Sequence, residues 1–172
     1  LWLHESMYFC PHYTPFAAIG MIDKDHYGIF ASEWKAEHIR QLCETTDGGL
    51  DYVFTGALHH EAGNFELILR LWEVRKFKER KTFQIQWTTA SVNAEFAKLH
   101  EAIRGFMEFS PSPAGTGLTY APPANPFAWC DTLGHSLSFF LAEKGVLPAA
   151  QIPDPAQSLA RIAARAASGE AA

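Results

Sequence analysis

The sequence predicts an α/β fold of α+β-like order βαβββα: a mixed sheet with flanking helices, followed by a carboxy-terminal αα-hairpin. Three observations predict it. Between residues 50 and 88 apolar and polar residues alternate at the two-residue period of a strand. Around residues 36–43 and 96–107 apolar residues recur at the 3.6-residue period of a helix. Beyond a stretch rich in Pro, Gly and Ser, two more helical patterns open on Asn125-Pro126 and Asp154-Pro155.

Residues 1–15 are aromatic, and Pro11 and Pro15 break regular structure, so this segment is expected to be irregular. The short apolar run 16–22 (Phe16, Ala17, Ala18, Ile19, Gly20, Met21, Ile22) predicts a buried strand, and 23–30 a loop. Ser32 is expected to cap the first helix, with Glu33 in its first turn, where negative charge suits the dipole. Ala36, Ile39, Leu42 and Cys43 form its stripe, and Gly48-Gly49 ends it. A crossover carrying this helix would then pair the first two strands.

Residues 50–58, rich in Tyr, Val, Phe and Thr, predict the second strand. Glu61-Ala62-Gly63-Asn64 predicts a hairpin turn, with Gly63 and Asn64 free to adopt positive φ. Phe65, Leu67, Leu69 and Leu71 then alternate with Glu66, Ile68, Arg70 and Trp72, giving one apolar and one mixed face. Residues 75–80 form a charged hairpin tip. Phe83, Ile85 and Trp87 alternate with Thr82, Gln84, Gln86 and Thr88, so the strand 82–88 has a wet face and is expected near an edge or on an uncovered side. The whole sheet is expected to hold about four to five strands.

Ser91 or Asn93 caps the next helix, with Phe96, Leu99, Ile103, Phe106 and Met107 on one side and Lys98, Glu101 and Arg104 on the other. The last two helices carry the stripes Cys130, Leu133, Leu137, Phe140, Leu141 and Leu159, Ile162, Ala163, Ala166, with Gly145 ending the first. The expected organisation is a sheet domain over 1–109 including the aromatic amino-terminal segment, a linker over 110–124, a helical hairpin over 125–168 packed on the sheet domain, and a frayed tail over 169–172.

The chain has 172 residues, 48% of them apolar, with 13 Phe and 5 Trp. A domain of this size buries roughly two-thirds of the surface of its unfolded chain, so it needs no disulfide or metal to fold. The net charge of -5 counts against nucleic acid, which is held through clustered Lys and Arg. No apolar run approaches the roughly 20 residues of a bilayer span. Leu1-Trp2-Leu3-His4-Glu5 lacks the basic and apolar regions of a signal peptide. Cys10, Cys43 and Cys130 are odd in number and widely spaced, which favours reduced thiols and a cytoplasmic location; a periplasmic one stands as the alternative for a trimmed chain.

A helical stripe, then Gly49-Leu50-Asp51-Tyr52-Val53-Phe54-Thr55-Gly56, a hairpin, and a long strand ending in Leu69-Arg70-Leu71-Trp72-Glu73-Val74 is a familiar sequence of elements. It resembles the TolB amino-terminal-domain family, which includes FlgO-type and PelC-type domains. The resemblance covers about residues 16–107 and rests on Asp51, Tyr52, Val53, Thr55 and Gly56, then Leu69, Arg70, Leu71 and Val74. The helical hairpin is similar to the tetratricopeptide-type repeats that follow such domains. The resemblance implies an assembly or docking module.

Candidate sites are few. His59-His60-Glu61 is the densest polar cluster, but adjacent histidines on a strand point to opposite faces, so both cannot ligate one ion without distortion. Cys10 and His12, with His4 and His26, lack the second cysteine pair of a zinc site. Cys130, Asp131 and His135 suggest a nucleophile arrangement, yet Cys130 lies on an apolar stripe, where a thiol is inert. Arg75, Lys76, Lys78, Arg80 and Lys81 form the one dense basic cluster, able to meet phosphate, RNA or an acidic protein. Trp2 and Tyr8 in the aromatic amino terminus, with Trp72 and Trp87, are candidates for a partner-binding surface. No catalytic residue, metal ligand or cofactor is assigned. The expected function is a non-catalytic protein-binding or assembly module that meets a protein partner or its own copy. Two alternatives stand beside it: a phosphate- or RNA-binding module using the basic tip, and an enzyme or metal-binding protein using His59, His60 and Glu61.

Overall fold

The computed structural model describes residues 1–21, 27–28, 30–46, 49–111, 120–152 and 154–167. Their elements are α1 (Trp2–Tyr8), α2 (Ala36–Thr45), β1 (Tyr52–Glu61), β2 (Asn64–Glu73), β3 (Lys78–Trp87), α3 (Val92–Phe106), α4 (Pro126–Glu143) and α5 (Pro155–Ala167). They group into two compact units, Phe30–Ile103 and Leu1–Ile29 together with Arg104–Ala172. The amino-terminal segment, expected with the sheet, thus groups with the carboxy-terminal helices.

The α/β class with flanking helices and a helical hairpin holds, but the sheet is narrower than expected. It is a three-stranded antiparallel meander in the order β1-β2-β3. The strand expected at 16–22 does not form among the described residues: Met21 makes only an isolated bridge to Tyr27, and Phe16 is 79% exposed. Ala17, Ala18 and Gly20 are weak strand formers, and a short apolar run alone does not specify a strand. Without it the sheet of the described residues holds no parallel pair to make it mixed, and no crossover is needed. Ile22 lies outside the described residues.

Sequence alternation fixes which way each strand faces. Phe65, Leu67, Leu69 and Leu71 of β2 share a face with His60, Leu58, Gly56 and Phe54 of β1, and Phe65, Leu67 and Leu69 with Trp87, Ile85 and Phe83 of β3. On this apolar face Leu71, Phe83, Ile85 and Trp87 are buried, and Trp87 meets Phe96 of α3 edge-on at 5.1 Å. The opposite face is mostly polar, with Ala57 opposite Ile68 in mid-strand and an apolar tip end. There Trp72 and Val74 form a second core with Ile39 of α2, joined by Trp34, Cys43, Leu50, Val53 and Phe77. The indole Nε1 of Trp72 donates to Thr55 Oγ1 at 2.9 Å, so the polar edge of a buried ring is satisfied. The helix α2 therefore covers Trp72.

The two hairpin turns differ. β1 and β2 join through Ala62 (φ 48°) and Gly63 (φ 82°), a two-residue turn with both centres left-handed, as the strand twist favours. The expected pair was Gly63 and Asn64, but Asn64 is the first residue of β2. β2 and β3 join through a single 3-10 turn, Val74–Lys76, closed by Phe77 at φ 47°. Ahead of the sheet, α2 begins later than Ser32: Lys35 is its cap, and the Lys35 N–H donates to His38 Nδ1 at 2.9 Å. Glu33 thus lies outside the helix and pairs with β2.

The second unit corrects the expectation of an irregular start. Trp2, Ser6, Met7 and Cys10 recur at helical spacing and are buried, and α1 ends before Pro11. Trp2 Nε1 donates to the Tyr120 hydroxyl at 2.9 Å, Trp129 Nε1 to Glu5 at 2.7 Å, and the Tyr13 hydroxyl to the Met107 carbonyl at 2.6 Å. Burial pushes the Tyr120 hydroxyl above its usual range. At the start of α4, Asn125 Oδ1 accepts the Ala128 N–H with Pro126 as first helical residue. Asp154 Oδ1 likewise accepts the Gln157 N–H at the start of α5. The helices α4 and α5 pack on one another, and Arg161 reaches Asp131 at 3.6 Å.

Candidate functional site: an open strand edge

The strand β1 pairs with β2 on one side, and among the described residues no strand pairs with its other side. The carbonyl of Asp51 accepts the Val74 N–H, and at the far end Glu61 faces Asn64 across the two-residue turn. Antiparallel pairing alternates, so the odd residues from 51 to 61 turn their backbone groups toward β2. The N–H and C=O groups of Tyr52, Phe54, Gly56, Leu58 and His60 point the other way. These same residues carry the apolar face of the sheet. Tyr52, Gly56, Leu58 and His60 are exposed, Leu58 to 65%. Residues 52–60 contain no Asp, Glu, Lys, Arg or Pro, the residue types that usually blunt an edge.

The polar face behaves differently, because its groups satisfy one another. The Arg70 guanidinium binds Glu33 (2.6 Å), Glu79 (3.0 Å) and Thr82 (3.3 Å), and Thr82 also bonds Glu79. The Glu33 carboxylate, above all, raises the Arg70 pKa. Glu66 accepts from Gln84 Nε2 (2.6 Å) and Gln86 Nε2 (2.7 Å), and these bonds, the Gln86 one foremost, lower its pKa. An open groove of about 450 Å³ beside them is lined by His59, Glu61, Asn64, Glu66 and Gln86, among others.

Of the expected polar cluster, only His59 and Glu61 lie on this groove. His59 Nε2 is 4.0 Å from Glu33. His60 is on the other face, stacked on Phe65 at 4.3 Å, which stacks in turn on Trp87 at 5.6 Å. Among the described residues no group of three or more His, Cys, Asp or Glu is placed to hold a metal ion. Cys10 is buried, and His26 lies outside the described residues. Burial pushes the Cys130 thiol up to about 11, so it is protonated and a poor nucleophile at neutral pH. His135 faces Asp131, at 3.6 Å.

The basic cluster is largely neutralised within the chain. Arg75 reaches Asp51 (3.2 Å), while Lys76 (2.8 Å) and Arg80 (2.7 Å) share Glu73. Lys76 is the main cause of the lowered Glu73 pKa. Lys78, Arg80 and Lys81 belong to β3 rather than to the turn. Among the aromatic candidates, Trp2, Trp72 and Trp87 are buried in the interiors described above and offer no contact surface; Tyr8 alone is exposed. Sequence reasoning found the β3 edge, since the strand expected at 82–88 is an outer one, but missed Leu58 and the opposite edge at β1. The available signal was the uncharged, proline-free run 52–60. Among the described residues no helix is long and apolar enough to cross a membrane. No family model matches this chain, and neither a curated protein nor a solved structure matches it.

Proposed function

We propose that this chain is a non-catalytic protein-docking module, in keeping with its resemblance to TolB amino-terminal-type domains. The observation that carries this reading is β1: outward backbone groups, exposed Leu58, and no charge or proline over 52–60. A partner strand laid along such an edge gains main-chain hydrogen bonds, and its alternate side chains meet the apolar face beside Leu58 and Phe54. The fit is one of shape and hydrogen bonding, not of chemistry on a bound molecule.

The test is capture of protein partners by the full chain and by Leu58→Lys. An edge lysine obstructs strand addition. The fold loses little, because Leu58 is already mostly exposed. Recovery is expected to drop at least about tenfold, the usual reach of a central interface residue, with an unchanged circular dichroism spectrum. Equal recovery by both proteins removes β1 from the function.

A further inference from the structure

We propose that Arg104, in the last turn of α3, anchors a binding site for an oxyanion, the carboxylate or phosphate of a small molecule. The proposal does not depend on the β1 edge. The way α3 ends fixes the guanidinium. The Glu108 N–H donates to the Gly105 carbonyl at 3.2 Å and the Phe109 N–H to the Arg104 carbonyl at 2.9 Å, the paired bonds that close a helix through a left-handed residue. That residue is Glu108 (φ 51°), at a conformation that favours glycine. The turn folds the Phe109 ring back over Arg104, with Cζ 4.0 Å from the ring centre. Tyr120 stands close by, its ring centre 5.7 Å from Cζ and 6.4 Å from that of Phe109. Tyr120 is held in turn by the Trp2 Nε1 donor and by the Phe9 ring at 5.5 Å.

Rings engage a guanidinium through its face, whereas hydrogen bonds use its edge. Here the face is engaged and the edge is not. Nε is buried without an acceptor, in a side chain that is only half-buried. Arg70, Arg75, Arg80 and Arg161 each reach a carboxylate at 3.6 Å or less, but among the described residues no carboxylate pairs with Arg104. The hydroxyl of Tyr120 supplies no negative charge, because burial raises its pKa and keeps it protonated at neutral pH. Glu5, whose charge also acts on Tyr120, accepts from Trp129 Nε1 instead. A cation partly withdrawn from water, with its plane fixed and its edge unbonded, is matched by a group that brings negative charge and two adjacent oxygens together. Carboxylate and phosphate share that chemistry.

The experiment is proton–nitrogen magnetic resonance of the full chain, following Arg104 Nε–H, which burial shields from exchange, and Trp2 Nε1–H. The probes are inorganic phosphate and acetate, each against chloride at the same ionic strength. The expected result is a saturable shift of Arg104 Nε–H with phosphate or acetate and none with chloride. Tighter phosphate binding identifies a phosphoryl ligand, and tighter acetate binding a carboxylate. Arg104→Met keeps an apolar stem against Phe109. Followed at Trp2 Nε1–H, it should weaken binding at least about tenfold, the reach of a charge-assisted hydrogen bond, with an unchanged circular dichroism spectrum. The proposal is overturned if neither oxyanion gives a saturable shift, if chloride matches them, or if a folded Arg104→Met binds as tightly as the original chain. The titration of the original chain decides the question even if that variant does not fold.

Discussion

The two outer strands of one sheet, β1 and β3, are equally long and flank the same central strand, yet they end the sheet in opposite ways. Along β3 the apolar face is sealed: Phe83, Ile85 and Trp87 are all buried, and Lys78, Arg80 and Lys81 charge the outer half near the turn. Along β1 the same face is open at Gly56, Leu58 and His60, and no charge appears before Glu61. What fixes β1 is its other face, where Val53 joins the core under α2 and Thr55 takes the Trp72 N–H. An edge anchored on one face and bare on the other keeps its shape while presenting unpaired backbone. A strand sealed on its apolar face and charged along its rim has less to offer a partner.

The largest expected effect comes from comparing one face at its two edges. Phe83→Ala removes a ring that is 6% exposed and should cost about 3–5 kcal/mol in denaturant unfolding, whereas Leu58→Ala should stay within about 0.5 kcal/mol. Similar losses from the two variants would mean that β1 is sealed in solution, and the contrast between the edges would collapse.

Much of this contrast was written in the sequence, though not the part that mattered most. The alternation from Phe65 to Trp87 set the strands, their faces and the burial of Phe83, Ile85 and Trp87, because a period of two leaves each side chain only one face to occupy. Asn125-Pro126 marked the start of α4 through local capping chemistry. The run 16–22 misled, since apolar content without a partner strand does not define an edge or a centre. Which strand lies outermost depends on what pairs with it, and that is a property of the whole chain. The helix α1 was legible in the spacing of Trp2, Ser6 and Cys10, but Ser6 on a buried stripe hid the pattern.

A smaller effect should separate the polar anchoring of the two edges. Arg70 binds Glu79 and Thr82 of β3 and Glu33 ahead of α2, but has no hydrogen bond to Thr55, its neighbour on β1. Replacing Arg70 by Met keeps the stem and removes the charge. With a side chain 28% exposed, the loss should be about 1 kcal/mol after allowance for solvent screening. Amide exchange should rise along β3 and in the segment before α2, and not at Val53, Thr55 or Ala57. A uniform rise across all three strands would show that the network serves the sheet as a whole.

The smallest effect is acid sensitivity at the β3 turn. The Glu73 pKa is lowered, first by the bond from Lys76 and then by Arg80, from an ordinary value of 4.5. A carboxylate whose folded pKa lies below its unfolded one stabilises the fold above the unfolded value, and that contribution fades as pH falls through the folded value. Acid should therefore loosen Lys78 and Arg80 first, seen as faster amide exchange after correction for the intrinsic rate. Glu73→Gln should abolish that response. The β2-facing amides of Val53, Thr55 and Ala57 have no carboxylate between residues 52 and 60 and should not respond over the same range. Equal acid sensitivity on both edges would mean that charge at the β3 turn does not distinguish them, leaving the buried row of Phe83, Ile85 and Trp87 as the whole of the difference.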